Sequence, residues 1–413
     1  MNNIIKKDCK FIFNKKDCEF IFNKKDCEFI FNNITNCHKY ILNKTLLFKS
    51  YLSENNIVTI DNKKIYVLSD IHSDFPRFIQ LLYNSNIIRF NKDIIDQDYF
   101  HSLDILYDFE IIDKNFILII AGDIINGKRP EYYIQTDTIT GDYELRLFIF
   151  LTNFKLKSNH YASDVYWTLG NHEYFSLINK TENMNRFRCD KCLDFYKNDK
   201  NRIKILLCFL LVCPYYFLIL YHEKLNRYIF ICHAGLNNST DLLQYIDHEP
   251  ENLYKKVNKN ILYNKSYSND LDNYNYNELS LNTKICKIAK KYKYDMMIYG
   301  HCTINIVNSL YNKKKYIEGC KDKKCILAVC GDKNIGAQII FVDIGLSKFH
   351  SYDDRSFHEY LFFEYNENNI LHQYHRRVYT SLNRYKVCKD NYENIEILKN
   401  DFLLPDHINK NLL

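Results

Sequence analysis

Five short apolar runs punctuate the chain, and each closes on polar residues. They are 64–70 (KIYVLSD), 115–123 (NFILIIAGD), 163–172 (SDVYWTLGNH), 226–233 (NRYIFICH) and 293–301 (KYDMMIYGH). Near-continuous apolar runs of this length are what strands buried on both faces look like. Between some of them the apolar residues recur at helical spacing, as from Phe75 to Tyr83 and from Tyr143 to Phe154. Strands alternating with helices predict an α/β sheet. The polar residues then fall at the C-terminal strand ends, where such sheets build their sites.

Other stretches break this rhythm. Ile205 to Tyr221 (ILLCFLLVCPYYFLILY) carries no charge, but Pro214 interrupts it and it is short for a membrane span. It reads as two buried strands with a break at the proline, so an integral membrane protein is not expected. Near the N-terminus a nine-residue unit recurs from Lys6: KKDCKFIFN, KKDCEFIFN, KKDCEFIFN. Phe-Ile-Phe at 11–13, 20–22 and 29–31 gives these copies strand propensity, and the segment reads as a tail, disordered or docked on the surface. Residues 180–204 and 249–282 are polar and weakly periodic, and read as surface insertions, as does the neighbourhood of 83–113. The resulting division is an N-terminal tail and lead-in over 1–50, a main domain over 51–365, and a C-terminal tail over 366–413 with no assigned role.

Composition changes this picture little. The chain has 413 residues, 46% of them hydrophobic, with a formal charge of +6. A core is affordable, and so weak a charge imbalance argues against a dedicated nucleic-acid binder. The 15 cysteines include three in the repeat and several inside apolar runs (Cys208, Cys213, Cys232), where a free thiol behaves as a small hydrophobe. No apolar leader stands at the N-terminus, so a reducing, cytoplasmic setting is expected.

The strand ends carry the candidate chemistry. In order they present Asp70-Ile71-His72, Gly122-Asp123, Gly170-Asn171-His172-Glu173, His233-Ala234-Gly235 and Gly300-His301. A lone aspartate after a strand is often a helix cap, and a lone histidine is usually structural. Five such ends in succession point to a shared site. Imidazoles, carboxylates and a neutral amide suit Mn, Fe or Zn better than Mg or Ca. Two such ions about 3.5–4 Å apart form the clamp of metal-assisted phosphoester hydrolysis, and they need a bridging anion, a role that suits Asp123. Asp-x-His places two ligands on one strand face.

The set resembles the calcineurin-like metallophosphoesterase signature, D-x-H, G-D, G-N-H-E/D, H and G-H, from about residue 63 to 358. More narrowly it resembles the phosphoprotein phosphatase branch. Three details carry that: Gly170-Asn171-His172-Glu173, the ICHAGL form around His233, and the apolar run with Pro214, which resembles the leucine-proline segment leading into that histidine strand. In addition, Gly300-His301-Cys302-Thr303 lacks the second histidine of G-H-x-H relatives. The long stretch from His72 to Asp123 and the run FVDIGLSKF look more like bacterial-type phosphatases. The resemblance implies a four-layer α/β/β/α sandwich with two mixed sheets and a dimetal site at the C-terminal strand ends. It implies one metal held by Asp70, His72 and bridging Asp123, and the other by Asp123, Asn171, His233 and His301. A metal-activated water would attack a phosphate monoester, with His172 as general acid and Glu173 as an orienting residue. Asn171 would also face the substrate phosphate.

The chain departs from the family at its second motif, usually G-D-x-x-D-R-G. Here Asn126 replaces the aspartate that pairs with the catalytic histidine, and Gly127 replaces the phosphate-gripping arginine, leaving Lys128 and Arg129 as candidate phosphate contacts. Asn126 can orient His172 but supplies no charge. Cys189 and Cys192 have zinc-knuckle spacing, but Cys320, Cys325 and Cys330 lie far off in sequence. The leading reading is a serine/threonine phosphoprotein phosphatase, acting on a phosphorylated protein or small phosphoester. Its rivals are a dinucleoside polyphosphate hydrolase and an inactive scaffold.

Overall fold

The structure is a computed structural model. It describes residues 22–33, 37–49, 56–91, 94–95, 102–125, 143–177, 215–223, 226–237, 240, 260–263, 278–301, 327–330, 338–342, 357–365, 371–379, 387–388 and 395–398. The expected Asn126, Lys128 and Arg129 contacts, Cys189 and Cys192, and most of 180–204 and 249–282 lie outside these residues.

Two mixed six-stranded sheets form the body, as the sequence predicted. The first runs β16 (Ile395–Leu398), β14 (Leu371–Tyr379), β13 (Phe357–Tyr365), β2 (Lys64–Leu68), β6 (Phe116–Ile120), β7 (Asp164–Trp167). Its β2, β6 and β7 are parallel, with Leu68 beside Ile120 and Ile120 beside Trp167, so their C-terminal ends lie level. All five residues of β6 are buried, which is why that strand reads as an unbroken apolar run. The second sheet runs β1 (Ile57–Thr59), β8 (Phe217–His222), β9 (Arg227–Cys232), β10 (Met296–Tyr299), β12 (Gln338–Phe341), β11 (Leu327–Cys330). Here β9 and β10 are parallel with Cys232 beside Tyr299, which sets His233 next to Gly300 and His301. The two sheets meet where Thr168, just past β7, bridges to Tyr215, just before β8.

Helices α3 (Phe75–Asn84) and α4 (Tyr143–Asn159) realise the two periodic segments. Helix α2 (His38–Lys49) precedes the first sheet, α5 (Asn171–Leu177) follows β7, and α6 (Asn260–Tyr263) and α7 (Glu278–Tyr292) precede β10. Among the described residues, no helix is long and apolar enough to cross a membrane. The thiols of Cys27, Cys37 and Cys232 are buried and that of Cys286 is half-buried.

Two terminal segments differ from expectation. The third repeat copy is not a strand on the surface but helix α1 (Lys24–Asn32), with Cys27, Ile30 and Phe31 in the core. Alternation would have put Phe29 and Phe31 on one face, yet Phe29 is 45% exposed and Phe31 only 5%. The helical spacing of Cys27, Ile30 and Phe31 prevails, helped by a capping box in which Asn23 and Asp26 satisfy each other's backbone N–H. Past residue 365, the chain adds β14 and β16 to the first sheet and pairs β15 (Val387–Cys388) with β4 (Ile94–Ile95).

Candidate metal centre

The site begins as backbone. Beyond β2 and β6 the two chains stay joined: Asp70 N–H donates to Gly122 O (3.2 Å), His72 N–H to Asp123 O (2.9 Å) and Ser73 N–H to Ile124 O (2.7 Å). Along these loops Asp70, His72, Ser73 and Asp123 have φ between +47° and +61°, and His301 has φ +69°. Left-handed backbone of this kind costs free energy at non-glycine residues and clusters at functional sites. Gly122 (φ +81°) is needed for a second reason, because a Cβ there would lie 2.5 Å from His233 Nδ1.

On this frame the side chains from both sheets meet at Asp123, which is 2% exposed. Its Oδ1 accepts the backbone N–H of His172 at 3.0 Å. Its Oδ2 lies 3.3 Å from His233 Nε2 and 3.8 Å from Nε2 of both His72 and His172. Burial opposes its charge, but the surrounding imidazoles of His233, His172 and His72 outweigh that and hold the carboxyl well below its usual range. His233 is fully buried and contacts the Ala121 carbonyl through Nδ1 (2.9 Å) and Asn171 Oδ1 through Nε2 (2.8 Å). Burial works against the imidazolium, yet the Asp123 charge and hydrogen bond, the Asp70 charge and the Ala121 carbonyl lift its pKa to about 10. Nδ1 donates to Ala121 O, and as imidazolium the ring also donates from Nε2 towards Asp123 and Asn171; loss of that Nε2 proton would leave the tautomer that a metal-binding imidazole needs.

Glu173 braces the assembly. Its Oε2 accepts Gly170 N–H (2.8 Å) and Asp123 N–H (3.1 Å), and its Oε1 accepts Ile124 N–H (2.8 Å) and Ile125 N–H (2.9 Å). One carboxylate thereby ties the loop after β6 to the loop after β7. Burial and the nearby Asp123 charge push its pKa up to about 7, against the pull of its backbone donors.

All seven described residues of the sequence-predicted set converge here: Asp70, His72, Asp123, Asn171, His172, His233 and His301. The donor atoms of His72, Asp123 and His172 lie within 4.8 Å of one another, as do those of Asp123, His233 and His301. The chemistry of these donors, with Asp123 common to both groups, fits a pair of divalent ions. His172 sits as close to Asp123 as His72 does. Exposure distinguishes them: the His172 side chain is 17% exposed, that of His72 only 5%. Sequence reasoning missed Ser69, whose hydroxyl contacts Asp70 Oδ2. Its position directly before Asp70 was the only available signal.

The calcineurin-like phosphoesterase family profile matches residues 63–302. No curated protein matches the sequence. Among solved structures, similar chains include a cold-active protein tyrosine phosphatase (TM-score 0.45, 14% identity, covering 81% of this chain and 80% of that one). The cold-active protein tyrosine phosphatase of a psychrophile, Shewanella sp., scores 0.44 at 12% identity, with 84% and 82% covered. A protein serine/threonine phosphatase from Saccharomyces cerevisiae scores 0.37 at 11% identity, with 87% and 89% covered. Likeness this distant carries over no property of those enzymes.

Proposed function

The chain belongs to the calcineurin-like phosphoesterase family, and is thereby a metal-dependent phosphoester hydrolase; we propose that it removes phosphate from monoesters, with phosphoserine or phosphothreonine proteins as its substrates. The observation that carries the hydrolytic reading is the convergence of imidazoles from both sheets on Asp123 Oδ2. The monoester reading is supported by the last motif, where Cys302 and Thr303 leave His301 without a second histidine.

In this reading Asp70, His72 and Asp123 hold one ion, and Asp123, Asn171, His233 and His301 the other. When bound, a divalent pair lowers the pKa of water towards neutrality and neutralises phosphoryl charge. The protein's own groups do the rest. The His172 backbone is anchored to Asp123 Oδ1, and its partly exposed ring lies 3.8 Å from Asp123 Oδ2. From there the imidazolium protonates the leaving oxygen as general acid. Asn171 contacts the phosphate, and Lys128 and Arg129 supply positive charge to it, Arg129 in the bidentate manner open to guanidinium. Asn126 orients His172 without stabilising its charge, so less of the acid is protonated at a given pH than with aspartate. The catalytic unit extends beyond 51–365, since α1 packs into the core and β14 and β16 complete a sheet.

The test is hydrolysis of p-nitrophenyl phosphate with added manganese, followed by a phosphoserine peptide against diadenosine tetraphosphate. Turnover of the peptide is expected. Preference for the dinucleotide would overturn the substrate, and absence of both turnover and bound metal would overturn the site. Asn126→Asp should extend activity to higher pH by moving the alkaline limb of the pH–rate profile upward, and an unchanged profile would remove Asn126 from the catalytic group.

A further inference from the structure

Ser69 follows β2 and precedes Asp70, and it is 1% exposed. Its Oγ makes a short contact with Asp70 Oδ2 and lies 3.0 Å from the Ala121 carbonyl oxygen. Both neighbours are acceptors, and a hydroxyl has one proton to give. The ionised carboxylate takes it, because a charge-assisted hydrogen bond is the stronger. Ala121 O receives its proton from His233 Nδ1, 2.9 Å away. Asp70 Oδ2 is also reached by the backbone N–H of His301 at 3.1 Å. Two donors on one carboxylate oxygen set the plane of the group and turn Oδ1 towards His72 Nε2, 3.7 Å away. Gly300 closes the arrangement, since a Cβ there would land on Ser69 Oγ and Asp70 Oδ2.

These contacts cross between the two proposed centres. Asp70 belongs to one, and His233 and His301 to the other. Resting on that ligand assignment, we infer that Ser69 is a positioning residue that holds Asp70 ready for its ion. It meets Asp70 directly. It meets the second centre through the Asp70 oxygen that it shares with the His301 backbone N–H. Without the hydroxyl, Asp70 Oδ2 loses the Ser69 donor and the carboxylate can rotate away from His72.

The experiment is equilibrium binding of manganese to the full chain, comparing wild type, Ser69→Ala and Ser69→Thr, with the melting temperature of each metal-free protein as a check on folding. Ser69→Ala should weaken one of the bound ions about ten- to hundredfold, the range seen when a ligand's hydrogen-bond partner is lost. Ser69→Thr, which keeps the hydroxyl, should restore binding. Equal, wild-type affinity for both ions in a folded Ser69→Ala protein would overturn the role of Ser69 alone. A wild-type protein that binds no manganese would overturn the ligand assignment and this inference with it. If Ser69→Ala does not fold, Ser69→Cys, a poor donor of similar shape, must show the same selective weakening. Wild-type affinity in that variant would overturn the inference.

Discussion

The strand-end site and helix α1 are both buried, and both join segments far apart in sequence, but they are held by opposite means. At the site the backbone is left-handed at Asp70, His72, Ser73, Asp123 and His301, and is kept there by hydrogen bonds between loops and by the Glu173 carboxylate. Helix α1 has a relaxed, capped start and an apolar face, and is pinned where Asn153 exchanges hydrogen bonds with the Phe22 backbone (2.9 and 2.8 Å). The site spends conformational energy to aim polar atoms. Helix α1 contributes stability and aims nothing. Changes at the first should therefore be read in metal content and turnover, and changes at the second in stability with chemistry preserved.

The largest effect is expected at Asp123, whose carboxylate is common to both proposed centres. Asp123→Asn keeps the shape but not the bridging charge. Elemental analysis should find the metals lost, and p-nitrophenyl phosphate hydrolysis should fall to background. Metals retained at wild-type stoichiometry would remove Asp123 as the bridge. His172→Gln comes next. As the general acid, His172 should contribute about 10²–10⁴-fold to kcat, and its loss should leave the metals in place. Loss of metal along with turnover would make His172 a ligand, the alternative its 3.8 Å approach to Asp123 Oδ2 allows.

The contrast also explains what could be read from the chain. β2, β6, β7, β9 and β10 are buried apolar strands ending on polar groups, so both the sheets and the order of candidate ligands were visible in sequence. Ser69 was not, because its role depends on Ala121, brought near by the β2–β6 register, and on His301, which comes from the other sheet. Helix α1 was misread because Phe-Ile-Phe suits a strand locally. The deciding partners, Asn153 on α4 and Tyr40 and Lys44 on α2, are remote from it or follow it. The strands past residue 365 were missed for a similar reason: β14 is specified by its pairing along all of β13.

In α1 the expected effects are on stability. Phe31 is buried beneath Arg146, whose guanidinium carbon lies 5.1 Å from the ring centroid. Phe31→Ala should cost about 3–5 kcal/mol through lost burial and the cavity left behind, measured as a lower urea midpoint. Turnover per folded molecule should stay unchanged. A fall in kcat without a fall in the midpoint would mean that α1 reaches the chemistry after all.

The smallest effect tests whether local rules or the core made α1 a helix. Asn23 Oδ1 accepts Asp26 N–H at 3.1 Å, and Asp26 Oδ2 accepts Asn23 N–H at 2.9 Å. Asp26 also takes the Tyr40 hydroxyl and the Lys44 ammonium, at 3.0 Å for the latter, so it has a second function in joining α1 to α2. Asn23 has only the cap contact with Asp26 among these, which makes it the cleaner probe. Asn23→Ala should cost about 1 kcal/mol, and Asn23→Gly only a few tenths, since glycine leaves the helix N-terminus open to water. Urea titration of both variants beside Phe31→Ala gives the ratio of local to tertiary contribution. If Asn23→Ala costs nothing, the apolar face alone holds α1, and the capping box follows from the fold instead of directing it.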